Sequence, residues 1–238
     1  MKPSIRTPFF EIGVKNYIYG DAVLEAALAA EAAAEKYDVD VLMVIPYTEI
    51  RRVAEHTRKI IVLAPYMDVL RPGRGMADVL PEAILAAGAR GVVLNHCERP
   101  MTLLGIQKTI ARANELDLLT FACASSLAEA RAIACFHPDI INPEPTECIG
   151  TGITSGEDFM PGSIRAVKEI APDILVEQAA GISTGRQVYD LVLAGAEAVG
   201  VASGIFMAEQ PLAKIDEMVC AVRQAINAQK TKFGAESI

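Results

Sequence analysis

The feature that most constrains the fold of this chain is a regular alternation of short apolar segments with longer helical segments. One apolar run, Val39 to Ile45 (VDVLMVI), is nearly continuous, as expected for a strand that is covered on both faces. Similar runs recur at intervals of roughly 25 to 30 residues, and a segment of helical composition follows each of them. This alternation predicts parallel βα units.

Eight such units are visible in the 238 residues of the chain. The predicted strands are 9–15, 39–45, 59–64, 91–95, 118–123, 139–142, 174–178 and 198–202, and the predicted helices are 22–37, 48–57, 79–87, 103–116, 126–135, 163–170, 186–193 and 211–228. Eight units close a (β/α)8 barrel, and this length suits one barrel, so we predict a single domain over residues 1–238. The rival is an open doubly wound sheet, which needs a glycine-rich loop after its first strand, and Gly13-Val14-Lys15 does not supply one.

Composition argues against several classes of function. The formal net charge is -8 at pH 7, which disfavours a nucleic-acid partner because such proteins carry a basic surface. There is no apolar run of about 18 residues and no signal-peptide pattern, so we expect no membrane association and a cytoplasmic location. Five cysteines without CxxC spacing and three scattered histidines predict free thiols and no bound metal.

A candidate catalytic acid follows the sixth predicted strand. Glu144 comes directly after a short apolar run that ends at Pro143, so its side chain leaves the strand at the rim where parallel-sheet enzymes hold their chemistry. Pro143 and Pro145 restrict the backbone on either side, whereas Gly150 and Gly152 keep the far end of the loop permissive. This stretch predicts a rigid base beside a mobile loop, and the alternative is a surface acid in an ordinary strand-to-helix connection.

If the strands form a barrel, their carboxyl ends share one rim, and that rim carries the active site in barrel enzymes. Lys15, His96 and Glu144 lie at or just after the first, fourth and sixth predicted strands. Loops of small residues, 179–183 and 202–204, follow the seventh and eighth strands, and their exposed backbone N–H groups suit a phosphate. Each feature alone has an ordinary explanation as a solvated lysine, a core histidine or a common turn. Together they predict a binding site for a small anionic substrate.

Six segments, taken in order, are similar to those of triosephosphate isomerases, and of the short archaeal-type branch in particular. The similarity spans nearly the whole chain. The segments are Val14-Lys15-Asn16-Tyr17, Leu80-Pro81-Glu82-Ala83, Leu94-Asn95-His96-Cys97-Glu98, residues 144–152 (EPTECIGTG), Ala180-Gly181-Ile182-Ser183-Thr184-Gly185 and residues 193–204.

The resemblance implies a (β/α)8 barrel that interconverts glycerone phosphate and D-glyceraldehyde 3-phosphate without a cofactor, a reaction of glycolysis and gluconeogenesis. It implies Glu144 as the base, neutral His96 as the group that polarises the carbonyl and shuttles protons, and Lys15 as the cation that offsets substrate charge. The pairing of a glutamate base with a neutral histidine under a closing loop is the known pattern of these enzymes and is carried over from them.

The resemblance also implies how the substrate is held. It expects the loop 145–152 to close over the site, and Glu98 to support Lys15 or the neighbouring subunit. It further implies a homodimer or homotetramer whose only ligand partner is a small phosphorylated sugar. The residues that it assigns to substrate binding are Lys15, Ile149, Gly181, Ala202 and Ser203.

Four positions depart from the family pattern close to the expected site. They are Gly13 in place of an asparagine, Cys97 in place of a serine, Met76 in place of a threonine that crosses to the partner subunit, and Ala179 in place of a glycine. These changes keep two alternatives open: a paralog that isomerises another phosphorylated ketose, such as a four-carbon sugar phosphate, and a non-catalytic barrel that binds a phosphorylated metabolite. A Schiff-base aldolase fits less well, because Glu144 stands where its lysine is expected.

Overall fold

The computed structural model describes residues 1–152 and 158–235 of the chain. In these residues eight parallel strands pair in chain order and the first pairs with the last, so the sheet closes on itself. Phe10 of the first strand, for example, lies opposite Val41 on one side and Val199 on the other. The architecture is a (β/α)8 barrel. It confirms the predicted fold class and excludes the open doubly wound sheet.

The strands are short and the helices between them cover the outside of the barrel. The strands are β1 Phe9–Gly13, β2 Val41–Val44, β3 Ile61–Ala64, β4 Gly91–Leu94, β5 Leu119–Ala124, β6 Ile140–Pro143, β7 Leu175–Gln178 and β8 Ala198–Val201. The helices are α1 Asp21–Tyr37, α2 Ile50–His56, α3 Pro81–Ala86, α4 Leu103–Glu115, α5 Leu127–Ala134, α6 Phe159–Lys168, α7 Gly185–Leu193, α8 Ser203–Phe206 and α9 Pro211–Ala235.

Both faces of the sheet are buried, which explains why its strands read as continuous apolar runs. A large cluster of buried apolar side chains fills the space between the strands and the helices. A smaller cluster lies apart from it and consists of Phe9, Leu42, Leu63, Val93, Phe121, Cys123, Ile140 and Ala198. Several members of this inner cluster stand at the first residues of their strands, so they plug the amino-terminal part of the barrel and leave its carboxyl end for a site.

The observed elements differ from the predicted ones in a few places. β1 ends at Gly13 instead of Lys15, because Lys15 takes a left-handed conformation, with φ 49°, that ends the strand pairing. Residues after β8 form the short helix α8, although the sequence indicated only a turn. α6 begins at Phe159, before the predicted Ser163, and α9 runs beyond Ala228 to Ala235. No helix in the described ranges is long and apolar enough to span a membrane. The single-domain assignment stays a prediction.

Candidate active site

Three side chains that are far apart in the sequence meet at the carboxyl end of the barrel. His96 Nε2 lies 3.7 Å from Glu144 Oε2, and Lys15 Nζ reaches the same region from the loop after β1. All three line one cavity of about 450 Å³. The structure therefore brings together the residues that the sequence indicated as the catalytic set, while the chemical role of each remains a prediction.

Glu144 is held at the mouth of the barrel by the strand that precedes it. Its backbone N–H donates a hydrogen bond to the carbonyl oxygen of Ala124 at 2.8 Å, which ties the end of β6 to the end of β5. The side chain is only 12% exposed. Burial raises the pKa of Glu144, the nearby Lys15 opposes that rise, and the charge of Glu98 adds to it. A carboxylate with a raised pKa is a stronger proton acceptor, as a general base requires.

His96 is positioned by an unusual turn after β4. Asn95, which precedes it, takes a left-handed conformation with φ 59°. The Asn95 side chain secures this turn, since its amide nitrogen donates to the carbonyl oxygen of Cys123 at 3.0 Å and to Glu129 Oε1 at 2.9 Å. Its amide oxygen accepts from the backbone N–H of Met101 at 2.9 Å. Both polar atoms of the Asn95 amide are hydrogen-bonded, which fixes the turn. The fixed turn in turn holds the His96 imidazole in one orientation in the cavity.

Hydrogen bonding also sets the tautomer of His96. The backbone N–H of Glu98 donates to Nδ1 at 3.1 Å, so a neutral ring carries its proton on Nε2, the nitrogen that faces Glu144. Burial lowers the pKa of His96 and the neighbouring Lys15 lowers it further, while Glu98 works in the opposite direction. The contact between His96 and Glu144 is therefore that of a neutral N–H donor beside a carboxylate, not an ion pair.

Lys15 is the cation of the site. Its Nζ donates a hydrogen bond to Glu98 Oε1 at 3.0 Å, which satisfies one of the two roles expected for Glu98. Burial alone would lower the pKa of Lys15, but the hydrogen bond and charge of Glu98, together with the charges of Glu144 and Tyr17, outweigh it and raise the pKa. Lys15 consequently keeps a positive charge inside a cavity that also holds Glu144.

The two loops of small residues lie side by side at the cavity. Ala180 and Gly181 take successive left-handed conformations, with φ 70° and 69°, and turn the chain back after β7. At the start of α8, a Cβ on Gly204 would lie 2.8 Å from the Cα of Ser183, so only glycine lets these loops touch. The expected binding residues Ile149, Gly181, Ala202 and Ser203 all line the cavity.

The cavity has further lining residues that the sequence reasoning missed. On one wall, the Arg99 guanidinium stacks 4.0 Å from the ring centre of Tyr66, whose carbonyl oxygen accepts a hydrogen bond from the Tyr47 hydroxyl. On the floor lie Glu11 and Asn142. A signal for Glu11 was present, because a charged residue interrupts the apolar run of β1, two residues before Gly13 and on the same face.

Comparison with known proteins agrees with this geometry. The sequence profile of the family described as triosephosphate isomerase matches residues 14–186. The triosephosphate isomerase of Methanobacterium bryantii is 33% identical over 218 residues, which cover 90% of this chain and 96% of that protein. The enzymes of Methanocaldococcus jannaschii, 34% identical over 207 residues with 86% and 94% covered, and Sulfurisphaera tokodaii, 32% identical over 234 residues with 97% and 100% covered, are similar in the same way.

The chain belongs to the triosephosphate isomerase family. The four departures from the family pattern occupy different surroundings. Gly13 and Ala179 both line the cavity. Cys97 Sγ stands 3.8 Å from His96 Nδ1 at the edge of the site. Met76 is 94% exposed in the loop between β3 and α3.

The polar groups of this triosephosphate isomerase family member are arranged for proton transfer. Across residues 1–152 and 158–235, no group of three or more His, Cys, Asp or Glu side chains is placed to hold a metal ion. Within the cavity, a buried carboxylate, a neutral imidazole N–H and an ammonium group surround a space that adjoins two loops of small residues. Such a set suits a reaction in which a carbon-bound proton leaves and a neighbouring oxygen gains negative charge.

Proposed function

We propose that this protein is a triosephosphate isomerase that interconverts glycerone phosphate and D-glyceraldehyde 3-phosphate. The observation that carries this proposal is the orientation of His96, whose Nε2 faces Glu144 while Nδ1 accepts a backbone hydrogen bond. A neutral imidazole held in this way supplies an N–H donor next to a base. An aldose-ketose exchange needs that pair, because it needs one group to remove a proton and another to stabilise the oxygen that becomes charged.

In the proposed reaction, the Glu144 carboxylate takes the proton from the carbon next to the carbonyl group, and the electron pair moves onto the carbonyl oxygen. The product of this step is an enediolate. His96 stabilises it by donating from Nε2 and passes a proton between the two oxygens, and Glu144 then returns its proton to the neighbouring carbon. Lys15 offsets the negative charge of the substrate throughout.

The phosphate of the substrate belongs, in this proposal, at the loops after β7 and β8. Gly181, Ala202 and Ser203 present backbone there with little side-chain bulk, and Ile149 approaches from the loop after β6. Gly150 and Gly152 have φ values of 73° and 75°, which glycine adopts without strain, so they supply pivots for closure of that loop. Closure would exclude water and protect the enediolate.

The matches give no support to the alternatives of a paralog for another ketose phosphate or of a non-catalytic binding barrel, since the relatives reported above are named triosephosphate isomerases. Assembly as a homodimer or homotetramer, which the resemblance implies, and the cytoplasmic location expected from the sequence are further parts of the proposal.

A coupled assay of the purified chain with D-glyceraldehyde 3-phosphate and, separately, with glycerone phosphate tests the proposal. Glu144→Gln, purified in the same way, serves as a control for isomerase from the expression host. We expect turnover in both directions with the original chain and almost none with the variant. Equal activity of the two preparations, or none in either, would contradict the proposed function.

A further inference from the structure

The floor of the cavity carries an acid that the proposed mechanism does not use. Residues 11 and 13 of β1 point to the same face of the sheet, so Glu11 faces the same interior space as Gly13 and lies one layer deeper. Glu11 is only 8% exposed, and the surface that it keeps lines the cavity. A charged residue in the interior of a barrel strand is costly unless a partner or a ligand compensates for it.

The missing side chain at Gly13 gives Glu11 access to the substrate space. A Cβ built on Gly13 would lie 3.4 Å from Glu11 Oε1 and 3.5 Å from the Cβ of Ala202. The tip of the Glu11 carboxyl group therefore stands beside the position where a side chain of residue 13 would begin. The family pattern described above has an asparagine at that position. Here a carboxyl group from the next layer borders the vacated space.

A second buried acid lies against the first. Glu177 of β7 is fully buried, and neither of its carboxyl oxygens has a hydrogen-bond partner among the described residues. Both acids converge on Gly200 of β8, where a Cβ would lie 2.9 Å from Glu11 Oε2 and would meet Glu177 Oε1 at still shorter range. Two carboxylates this near one residue cannot both be ionised in a buried space, so the pair retains a proton.

The floor also offers an unused acceptor. Asn142 of β6 is 5% exposed and lines the cavity, and its Oδ1 atom is buried without a hydrogen-bond donor in the described part of the chain. Buried polar atoms are almost always paired in folded proteins, so this atom calls for a donor from a ligand or a water molecule. A protonated Glu11 and Asn142, which line the same cavity, give the floor one donor and one acceptor, which matches the hydroxyl and carbonyl oxygens of a sugar.

We propose that Glu11 is a substrate-contacting residue of this site, whose protonated carboxyl group donates a hydrogen bond to an oxygen at the end of the substrate opposite the phosphate. The inference rests on the proposed function, because it takes the position of the substrate from the catalytic set and the phosphate loops.

The surroundings of Glu11 set the pH at which this donor is lost. Burial raises the pKa of Glu11 to about 8, the charge of Glu144 adds to the rise, and Lys15 opposes it. The other titratable groups nearby are Glu177 and Cys123, and burial raises the pKa of each above its ordinary value. Above pH 8 Glu11 becomes a carboxylate, which no longer donates and which repels an anionic substrate.

The test compares the original chain with Glu11→Gln and Glu11→Leu. Glutamine keeps the size and a donor but does not titrate, whereas leucine has similar bulk and no hydrogen-bonding group. The measurement is kcat/KM for glycerone phosphate from pH 6 to pH 10. Since the substrate phosphate titrates identically in every case, the ratio between two proteins isolates the contribution of residue 11.

We expect kcat/KM of the original chain to fall about tenfold for each pH unit above pH 8, relative to Glu11→Gln. At pH 7 the glutamine variant should remain within about threefold of the original, and the leucine variant should lose about 10- to 100-fold, mainly through a higher KM. An alkaline fall that persists in Glu11→Gln, or a leucine variant with unchanged kcat/KM, would overturn the inference. If leucine prevents folding, the pH profile of the glutamine variant alone decides.

A second measurement separates this inference from the proposed function. Glycerone phosphate is titrated calorimetrically into Glu144→Gln and into Glu144→Gln carrying Glu11→Leu, so that binding is measured without turnover. We expect the dissociation constant to rise about 10- to 100-fold in the double variant at pH 7. If the original chain shows no isomerase activity, the proposed function fails by itself, and equal dissociation constants in the two variants would overturn the contact with Glu11.

Discussion

The backbone N–H of Glu98 donates a hydrogen bond to Nδ1 of His96 at 3.1 Å, and this single contact decides which ring nitrogen faces the substrate space. Because Nδ1 is an acceptor, the neutral ring carries its proton on Nε2, 3.7 Å from Glu144. The turn that makes this possible depends on the left-handed conformation of Asn95, which brings the amide of Glu98 back onto the ring.

The first prediction concerns the protonation of His96. Burial and Lys15 lower its pKa below the ordinary value of 6.5, so at pH 6.5 we expect a mainly neutral ring with the proton on Nε2. Nitrogen-15 NMR of the histidine side chains distinguishes the two tautomers and the charged form. A ring that is at least half protonated at pH 6.5, or one with its proton on Nδ1, would contradict this assignment.

The second prediction concerns Glu144 as the base. Glu144→Gln keeps the shape of the side chain but removes the proton acceptor, so kcat should fall by about 10²- to 10⁴-fold or more, with little change in KM or in the thermal midpoint of unfolding. The matched control is Glu147→Gln, which changes an exposed acid in the same loop. It should leave kcat within about twofold. Comparable losses in the two variants would mean that the loop, not the carboxylate of Glu144, is responsible.

The third prediction concerns the contact between the two loops at the proposed phosphate site. Gly204→Ala would place a Cβ 2.8 Å from the Cα of Ser183, and backbone atoms cannot give way as a flexible side chain can. We expect a loss of about 1–3 kcal/mol in the free energy of unfolding and a KM that rises about tenfold or more.

Gly162→Ala is the control for that substitution. Gly162 lies in α6, and among the described residues its added Cβ would find only Leu127 Cδ1, at 4.0 Å, so this change should be neutral or slightly stabilising. Urea unfolding and inhibition by inorganic phosphate provide the two readouts. If inorganic phosphate inhibits Gly204→Ala as strongly as the original chain, the substrate phosphate does not bind at these loops.

The fourth prediction concerns the pH dependence of stability and tests the buried acid Glu177. Burial and the neighbouring Glu11 raise its pKa well above the ordinary value of 4.5, so the folded chain holds a proton that the unfolded chain releases. This contribution is fully present below pH 4.5 and is lost as the pH rises towards the folded-state pKa. Glu177→Gln should therefore gain stability relative to the original chain by about 1.4 kcal/mol for each pH unit above 4.5.

Urea unfolding between pH 4.5 and pH 7 measures that difference. Glu209→Gln changes an exposed acid to its amide and serves as the control, with a free energy of unfolding that should follow the original chain across the range. A constant offset between Glu177→Gln and the original chain would show that Glu177 is ionised in the folded state.

The repeated pattern of apolar runs and helical segments was enough to predict the barrel and its element order, because strands that are buried on both faces must be apolar along their whole length. Placing Lys15, His96 and Glu144 near one rim followed from that order, since the carboxyl ends of parallel strands lie together. The strand ends were less predictable. β1 ends before Lys15, because Lys15 itself takes a left-handed conformation, which no local sequence pattern indicated.

Other features depended on contacts between segments that are distant in the sequence. The proton position on His96 is decided by the geometry of one turn, and the convergence of Glu11 and Glu177 on Gly200 is decided by the register of β7, β8 and β1. The sequence by itself determined which elements form and in what order, because burial and periodicity act locally along the chain. Only the tertiary structure decided which polar groups share a buried space and hence which of them hold protons, because desolvation and charge interactions depend on distances in three dimensions.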